Sequence, residues 1–187
     1  MVREIIVNFL ELLTLVSSIA LGLLVLLFVL KFVFRVRTKL YDGIVHFLQD
    51  NYLVLGFIVS LTAMLGSLFY SDLMGYDPCR LCWYQRIFMY PQAFLFLISM
   101  KVKNKAIVVN SLVLSVIGAF IAGYHYMMQI GVVPEGGCDV IGYSASCSDY
   151  FSVSYGFITI PMMAFIAFVI LIILGYGKIR ELKVGER

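Results

Sequence analysis

The sequence predicts an all-α integral membrane protein, a bundle of five spanning helices, and three observations carry that prediction. The chain of 187 residues is 62% hydrophobic and 13% charged, with a mean hydropathy of +0.98. A single water-soluble core cannot hide so much apolar surface. Five runs, at about residues 5–34, 52–70, 83–100, 106–130 and 157–176, reach the ~20 residues that a helix needs to cross a ~30 Å hydrocarbon core. The charges gather in the connections, and the net charge of +3 gives no sign of nucleic-acid binding.

The first run resembles a secretory signal in position only. It is too long, has a single Arg3 ahead of it, and is followed by KFVFRVRTK (31–39) where a signal peptide has small residues for cleavage. It is expected to be a retained helix. YDGIVHFLQD (41–50) follows as a short, partly amphipathic connection that can lie along the interface. The remaining four runs are apolar on nearly all helical faces, so periodicity does not say which face meets lipid.

Charge sets the orientation. Lys31, Arg35, Arg37 and Lys39 flank the first connection, Lys101, Lys103 and Lys105 the third, and Lys178, Arg180, Lys183 and Arg187 the tail, so 11 of the 14 cations fall on one side of an alternating five-span arrangement. Only Arg3, Arg80 and Arg86 fall on the other, and the connection 131–155 has none. The positive-inside rule then predicts a multi-pass plasma (inner) membrane protein with its N-terminus outside and its C-terminus cytoplasmic. All four cysteines land outside the cytoplasm, where disulfides persist.

The cysteines form two unlike pairs. Cys79 and Cys82 lie in DPCRLCWYQR (77–86), where Asp77 and Pro78 are suited to starting a helix. Cys138 and Cys147 lie in the glycine- and serine-rich GGCDVIGYSASC (136–147), which can move. A cysteine in a first helical turn sees the positive end of the helix dipole, and Cys82 lies one turn before Arg86, so Cys82 is the expected thiolate. Two structural disulfides in a membrane scaffold or transporter are the alternative. A ten-residue loop would supply only about 2.5–3 kcal/mol of chain-entropy stabilisation, and a C-x-x-C ring less. Zinc is disfavoured, because C-x-x-C is paired here with C-x8-C and the second short knuckle is missing. Trp83 occupies the position where c-type haem attachment requires histidine.

The string CRLCWYQR (79–86), followed by Phe88, Met89, Tyr90 and Pro91, resembles the core of the DsbB family of disulfide-bond formation proteins, including its Gram-positive BdbC-like branch. The likeness extends to HYMMQ (125–129), to the second cysteine pair and to GFITIP (156–161), covering about residues 52–176. Vitamin K epoxide reductase-like proteins generally place the loop pair before the C-x-x-C, the reverse of the order here.

What the resemblance implies is a four-helix DsbB-like bundle, residues 52–187, preceded by an extra transmembrane helix and cytoplasmic connection, residues 1–51. It implies a quinone-dependent thiol–disulfide oxidoreductase that reoxidises a DsbA-like thioredoxin-fold partner and passes the electrons to ubiquinone or menaquinone in the membrane lipid. Cys138 resembles the cysteine that meets the partner, Cys147 its resolving neighbour, Cys79 the acceptor of electrons from the loop, and Cys82 the cysteine that faces quinone. Arg86 and His125 resemble quinone-site residues, with a bundle-interior histidine bonded to a backbone carbonyl as the plain explanation of His125, and Gln85 is a candidate hydrogen-bond partner for a quinone carbonyl or for a neighbouring helix. The short spacing of the loop pair, eight intervening residues, leaves little slack for Cys147 to swing towards Cys79.

An arginine inside a span is costly and usually functional, with snorkelling as its plain explanation. Trp83 and Tyr84 read as an aromatic belt. Pro91 frees the Ile87 carbonyl and is expected to kink its helix. Met127, Met128, Met162 and Met163 read as packing residues.

Overall fold

The computed structural model describes residues 2–32, 39–102, 106–134, 146–148 and 154–185. The chain folds into helices α1 (Val2–Phe32), α2 (Lys39–Asp50), α3 (Tyr52–Leu68), α4 (Arg80–Val102), α5 (Ala106–Gln129) and α6 (Ile160–Gly185), with a π-helical turn, Phe69–Leu73, continuing α3. Among the described residues the one β feature is an isolated bridge between Ser154 and Ile158. Val2–Leu30, Tyr52–Leu73, Ala106–Gln129 and Ile160–Leu182 are long and apolar enough to cross a membrane.

The other expected span, α4, has 23 residues and is therefore about 34 Å long. It is more polar than its neighbours because Gln85, Gln92 and Ser99 sit on it, and all three are buried. Polar groups inside a membrane must find partners within the protein. Gln92 shows how: its Nε2 donates to the Phe88 carbonyl at 2.9 Å, and its Oε1 accepts from Ser111 Oγ at 2.8 Å and Ser115 Oγ at 3.1 Å, tying α4 to α5. The helix continues through Pro91.

Two ring-on-glycine contacts set how closely the helices approach. The fully buried Phe96 of α4 lies over Gly56 of α3, and the fully buried Phe168 of α6 over Gly118 of α5. A Cβ at Gly118 would stand 2.3 Å from the Phe168 ring, so neither helix pair admits a side chain there. Tyr52 completes this core edge-on to Phe96, with centroids 5.5 Å apart.

The cytoplasmic connection expected at 41–50 is the helix α2, which has no fully buried residue. Gln49 Nε2 fastens it to the Gly177 carbonyl of α6 at 2.9 Å. At the opposite end the chain enters α6 through a tight turn. Ser154 and Ile158 exchange two backbone hydrogen bonds of 2.9 Å, and Tyr155 and Gly156 both take positive φ, 53° and 78°. Glycine suits such a conformation, whereas tyrosine adopts it at a cost. Pro161 then sits in the first turn of α6, where its missing N–H costs nothing.

Candidate functional site

Six of the seven residues singled out in the sequence come together where α4 begins and α5 ends, namely Cys79, Cys82, Gln85, Arg86, His125 and Cys147. The seventh, Cys138, lies outside the described residues. Cys79 and Cys82 are free thiols, whereas Cys147 is disulfide-bonded. Cys79 and Cys147 are almost completely buried and pack with Met128, Leu81 and Cys82. Met128 packs as expected.

The two thiol sulfurs are 3.0 Å apart, and the Cys82 backbone N–H donates to Cys79 Sγ at 3.3 Å. His125 Nε2 lies 3.6 Å from Cys79 Sγ and 3.1 Å from the Cys147 carbonyl oxygen. Since that carbonyl only accepts, Nε2 carries a proton. On a neutral ring Nδ1 is then the acceptor, and Gln85 Nε2, at 2.9 Å, is the donor it requires. Gln85 therefore sets the tautomer that turns an N–H towards the sulfurs.

This geometry moves the expected negative charge from Cys82 to Cys79. The hydrogen bond with the Cys82 thiol, aided by His125 and the Cys82 backbone N–H, outweighs burial and holds the Cys79 thiol down to about 4 from an ordinary 9.0. The thiolate is thus Cys79. Arg86, expected to stabilise Cys82, turns its Nε to Ser67 Oγ at 3.0 Å and Nη2 to the Ser67 carbonyl at 3.3 Å, and its guanidinium lies 5.1 Å over the Trp83 ring. Arg86 still stands beside Cys82 at the cavity, as helix spacing predicts, and its positive charge acts on that sulfur, while α3 supplies its hydrogen-bond acceptors.

The swing of Cys147 towards Cys79 that the sequence raised is not needed. Sulfur atoms of Cys79 and Cys147 and a ring nitrogen of His125 all lie within 4.8 Å of one another, so Cys147 already stands beside Cys79. Such a set has the donor types of a metal site, but a disulfide sulfur at Cys147 is not a thiolate ligand. Trp83 and Tyr84 are exposed, in keeping with an aromatic belt. Arg80 reaches Tyr84 Oη at 3.1 Å.

Beside the sulfurs lies a cavity of about 240 Å³. Its polar end is lined by Cys79, Cys82, Gln85, Arg86 and His125, together with Ser67, Tyr70 and Tyr90. Two of these, Ser67 and Tyr70, were not apparent in the sequence. Ser67 is the hub that receives Arg86 and also Tyr90 Oη, at 3.1 Å. Tyr70 is 5% exposed, yet among the described residues its hydroxyl has no hydrogen-bond partner, and such a buried group costs free energy until something accepts from it. It lies in the π-helical turn, a distortion that often marks functional sites. A serine at the end of an apolar run looks like many others, so only the packing of α3 on α4 singles out Ser67.

The profile of the DsbB family, described as disulfide bond formation protein DsbB, matches residues 49–176. The chain belongs to the DsbB family. It is 38% identical over 133 residues to a probable disulfide formation protein of Oceanobacillus iheyensis, covering 71% of this chain and 91% of that one. With a probable disulfide formation protein C of Halalkalibacterium halodurans it shares 39% identity over 132 residues, 71% of this chain and 96% of the relative. The disulfide bond formation protein C of Bacillus subtilis is 39% identical over 122 residues, 65% of this chain and 88% of its own length. No solved structure matches significantly. As a DsbB-family member the chain is a multi-pass membrane thiol–disulfide oxidoreductase.

Proposed function

We propose that this DsbB-family protein reoxidises an extracytoplasmic thioredoxin-fold dithiol oxidase of the DsbA type and delivers the electrons to a membrane quinone. The observation that carries the reading is the junction of Cys147, Cys79 and His125 within 4.8 Å, opening on a cavity with a polar end. In the oxidised resting protein both pairs are disulfides. A partner thiolate attacks the Cys138–Cys147 disulfide at Cys138 and releases Cys147, and the partner's second thiol completes its own disulfide, leaving the loop pair as a dithiol.

Cys147 as thiolate then attacks Cys79 of the Cys79–Cys82 disulfide, expelling Cys82. Cys138 attacks Cys147 in that mixed disulfide and expels Cys79. The loop disulfide is restored and two electrons rest on Cys79 and Cys82, which are free thiols here. A low thiol pKa makes Cys79 a good leaving group and stabilises the reduced pair, which makes the pair a stronger oxidant towards the loop. His125 Nε2–H faces the charge that forms on Cys79.

A quinone bound in the cavity would supply an acceptor for two electrons and two protons. The residues present suit it, because the unpartnered Tyr70 hydroxyl and the Arg86 guanidinium are donors at the polar end. The cysteine end of the bundle also holds the N-terminus of α1, since Arg3 and Glu4 share a small cavity with Tyr70, Met74 and Tyr76. With the cation bias, both belong outside the cytoplasm.

The test is anaerobic mixing of the purified full chain with a reduced thioredoxin-fold oxidase and a soluble quinone, followed by quinone absorbance. Wild type should turn over many times, and Cys79→Ser and Cys138→Ser should not. Undiminished quinone reduction in either variant would end this reading.

A further inference from the structure

The family profile begins at residue 49, so α1 lies outside the matched region. Most of α1 is exposed, with Phe9, Val16, Ile19 and Leu23 all more than half accessible, as suits a helix against lipid. One stripe differs. Leu10, Leu13, Thr14 and Ser17 line the cavity beside the sulfurs, and their spacing of i, i+3, i+4 and i+7 is one face of a helix. Leu10 meets α3 at Gly66, where an added Cβ would stand 3.4 Å from a Leu10 methyl.

The cavity is elongated and two-ended. Along α3 it runs from Ile58 to Ser71, about 20 Å at the helical rise. Ser67, Tyr70 and Ser71 mark the end beside Cys82 and Arg86, whereas Ile58, Val59 and Ala63 mark the other, facing Ile166 and Ile170 of α6. A small ring with acceptor groups, joined to a long apolar chain, matches that division.

We infer that the inner stripe of α1 forms the tail subsite of the quinone cavity, closing its lipid-facing side and holding the first isoprene units of a polyprenyl quinone. The inference rests on the quinone reading above. Lipid tails are as apolar as leucine, so the subsite acts by shape and packing and not by a hydrophobic driving force. Its consequence is discrimination between prenylated and tail-less quinones. Filling the stripe should weaken the first and spare the second.

The experiment uses the full chain in lipid nanodiscs and reads quenching of Trp83, the single tryptophan, by two probes: a quinone with four isoprene units, and the same ring with a methyl group in place of the tail. Leu13→Phe and Ser17→Phe should weaken the prenylated probe about tenfold, the equivalent of about 1.4 kcal/mol of overpacking, and leave the tail-less probe within about twofold. Val16→Phe, on the exposed face, should leave both unchanged. Inner-stripe variants that behave like Val16→Phe overturn the subsite. In wild type, a photoreactive group on the tail should label α1 at Leu10, Leu13, Thr14 or Ser17, and labelling confined to α3–α6 overturns it without relying on any variant. If neither probe quenches Trp83 in wild type, the quinone reading itself falls, and the subsite with it.

Discussion

Gln85 Nε2 lies 2.9 Å from His125 Nδ1, and through this contact a residue on α4 decides which nitrogen of an α5 histidine faces Cys79. Both residues are buried, so the pairing is not exchanged for water. Gln85→Met removes the donor while keeping the length of the side chain. The expected result is a fall of about 10- to 100-fold in electron transfer from the loop pair to Cys79 and Cys82, corresponding to ~1–3 kcal/mol for a buried group left unpaired. Rapid-quench alkylation of the four thiols measures it, and an unchanged rate would remove the glutamine from the mechanism.

Cys79 should be ionised across the physiological range. In the reduced protein its ultraviolet thiolate absorbance should persist as pH falls from neutrality and disappear only near 4, well below the ordinary thiol value of 9.0. The folded pKa is depressed, so the stabilisation this thiolate gives the reduced fold is complete above about 9 and is lost as pH falls through about 4. Cys82→Ala removes the leading cause and should raise the midpoint. A midpoint near 9 in the wild type would refute Cys79 as the thiolate.

Tyr70→Phe separates binding from folding. Its hydroxyl is buried without a partner, so deleting it should leave thermal stability within about 0.5 kcal/mol or raise it slightly. The same change should weaken quinone binding about fivefold, roughly 1 kcal/mol for one hydrogen bond. Parallel melting and Trp83 quenching decide it, and a large loss of stability without loss of binding would assign Tyr70 to the scaffold.

Gly118→Leu tests the packing of α5 on α6. With a Cβ 2.3 Å from the Phe168 ring, the helices must separate or the ring must leave its site, at a cost of about 1–3 kcal/mol or more. Unfolding in detergent micelles should show that loss, and Gly22→Leu, where nothing lies within 4 Å of an added Cβ, should not.

The resemblance of its motifs to a known family pointed to Arg86 and His125, and the sequence by itself determined the helical membrane architecture, the segregation of cations and the C-x-x-C at a helix start. These are properties of runs and spacings along the chain: hydropathy over about 20 residues, the side on which lysines fall, a C-x-x-C at a helix start. Tertiary structure decided which sulfur is charged, which imidazole nitrogen is protonated, that Arg86 settles on Ser67, that Tyr70 waits unpartnered beside the cavity, and that α1 walls it. The runs are apolar on every face, so nothing local says which side turns inward. The ionisation of Cys79 rests first on its neighbour Cys82 and then on a histidine 46 positions away, whose share exists only once α4 and α5 have packed.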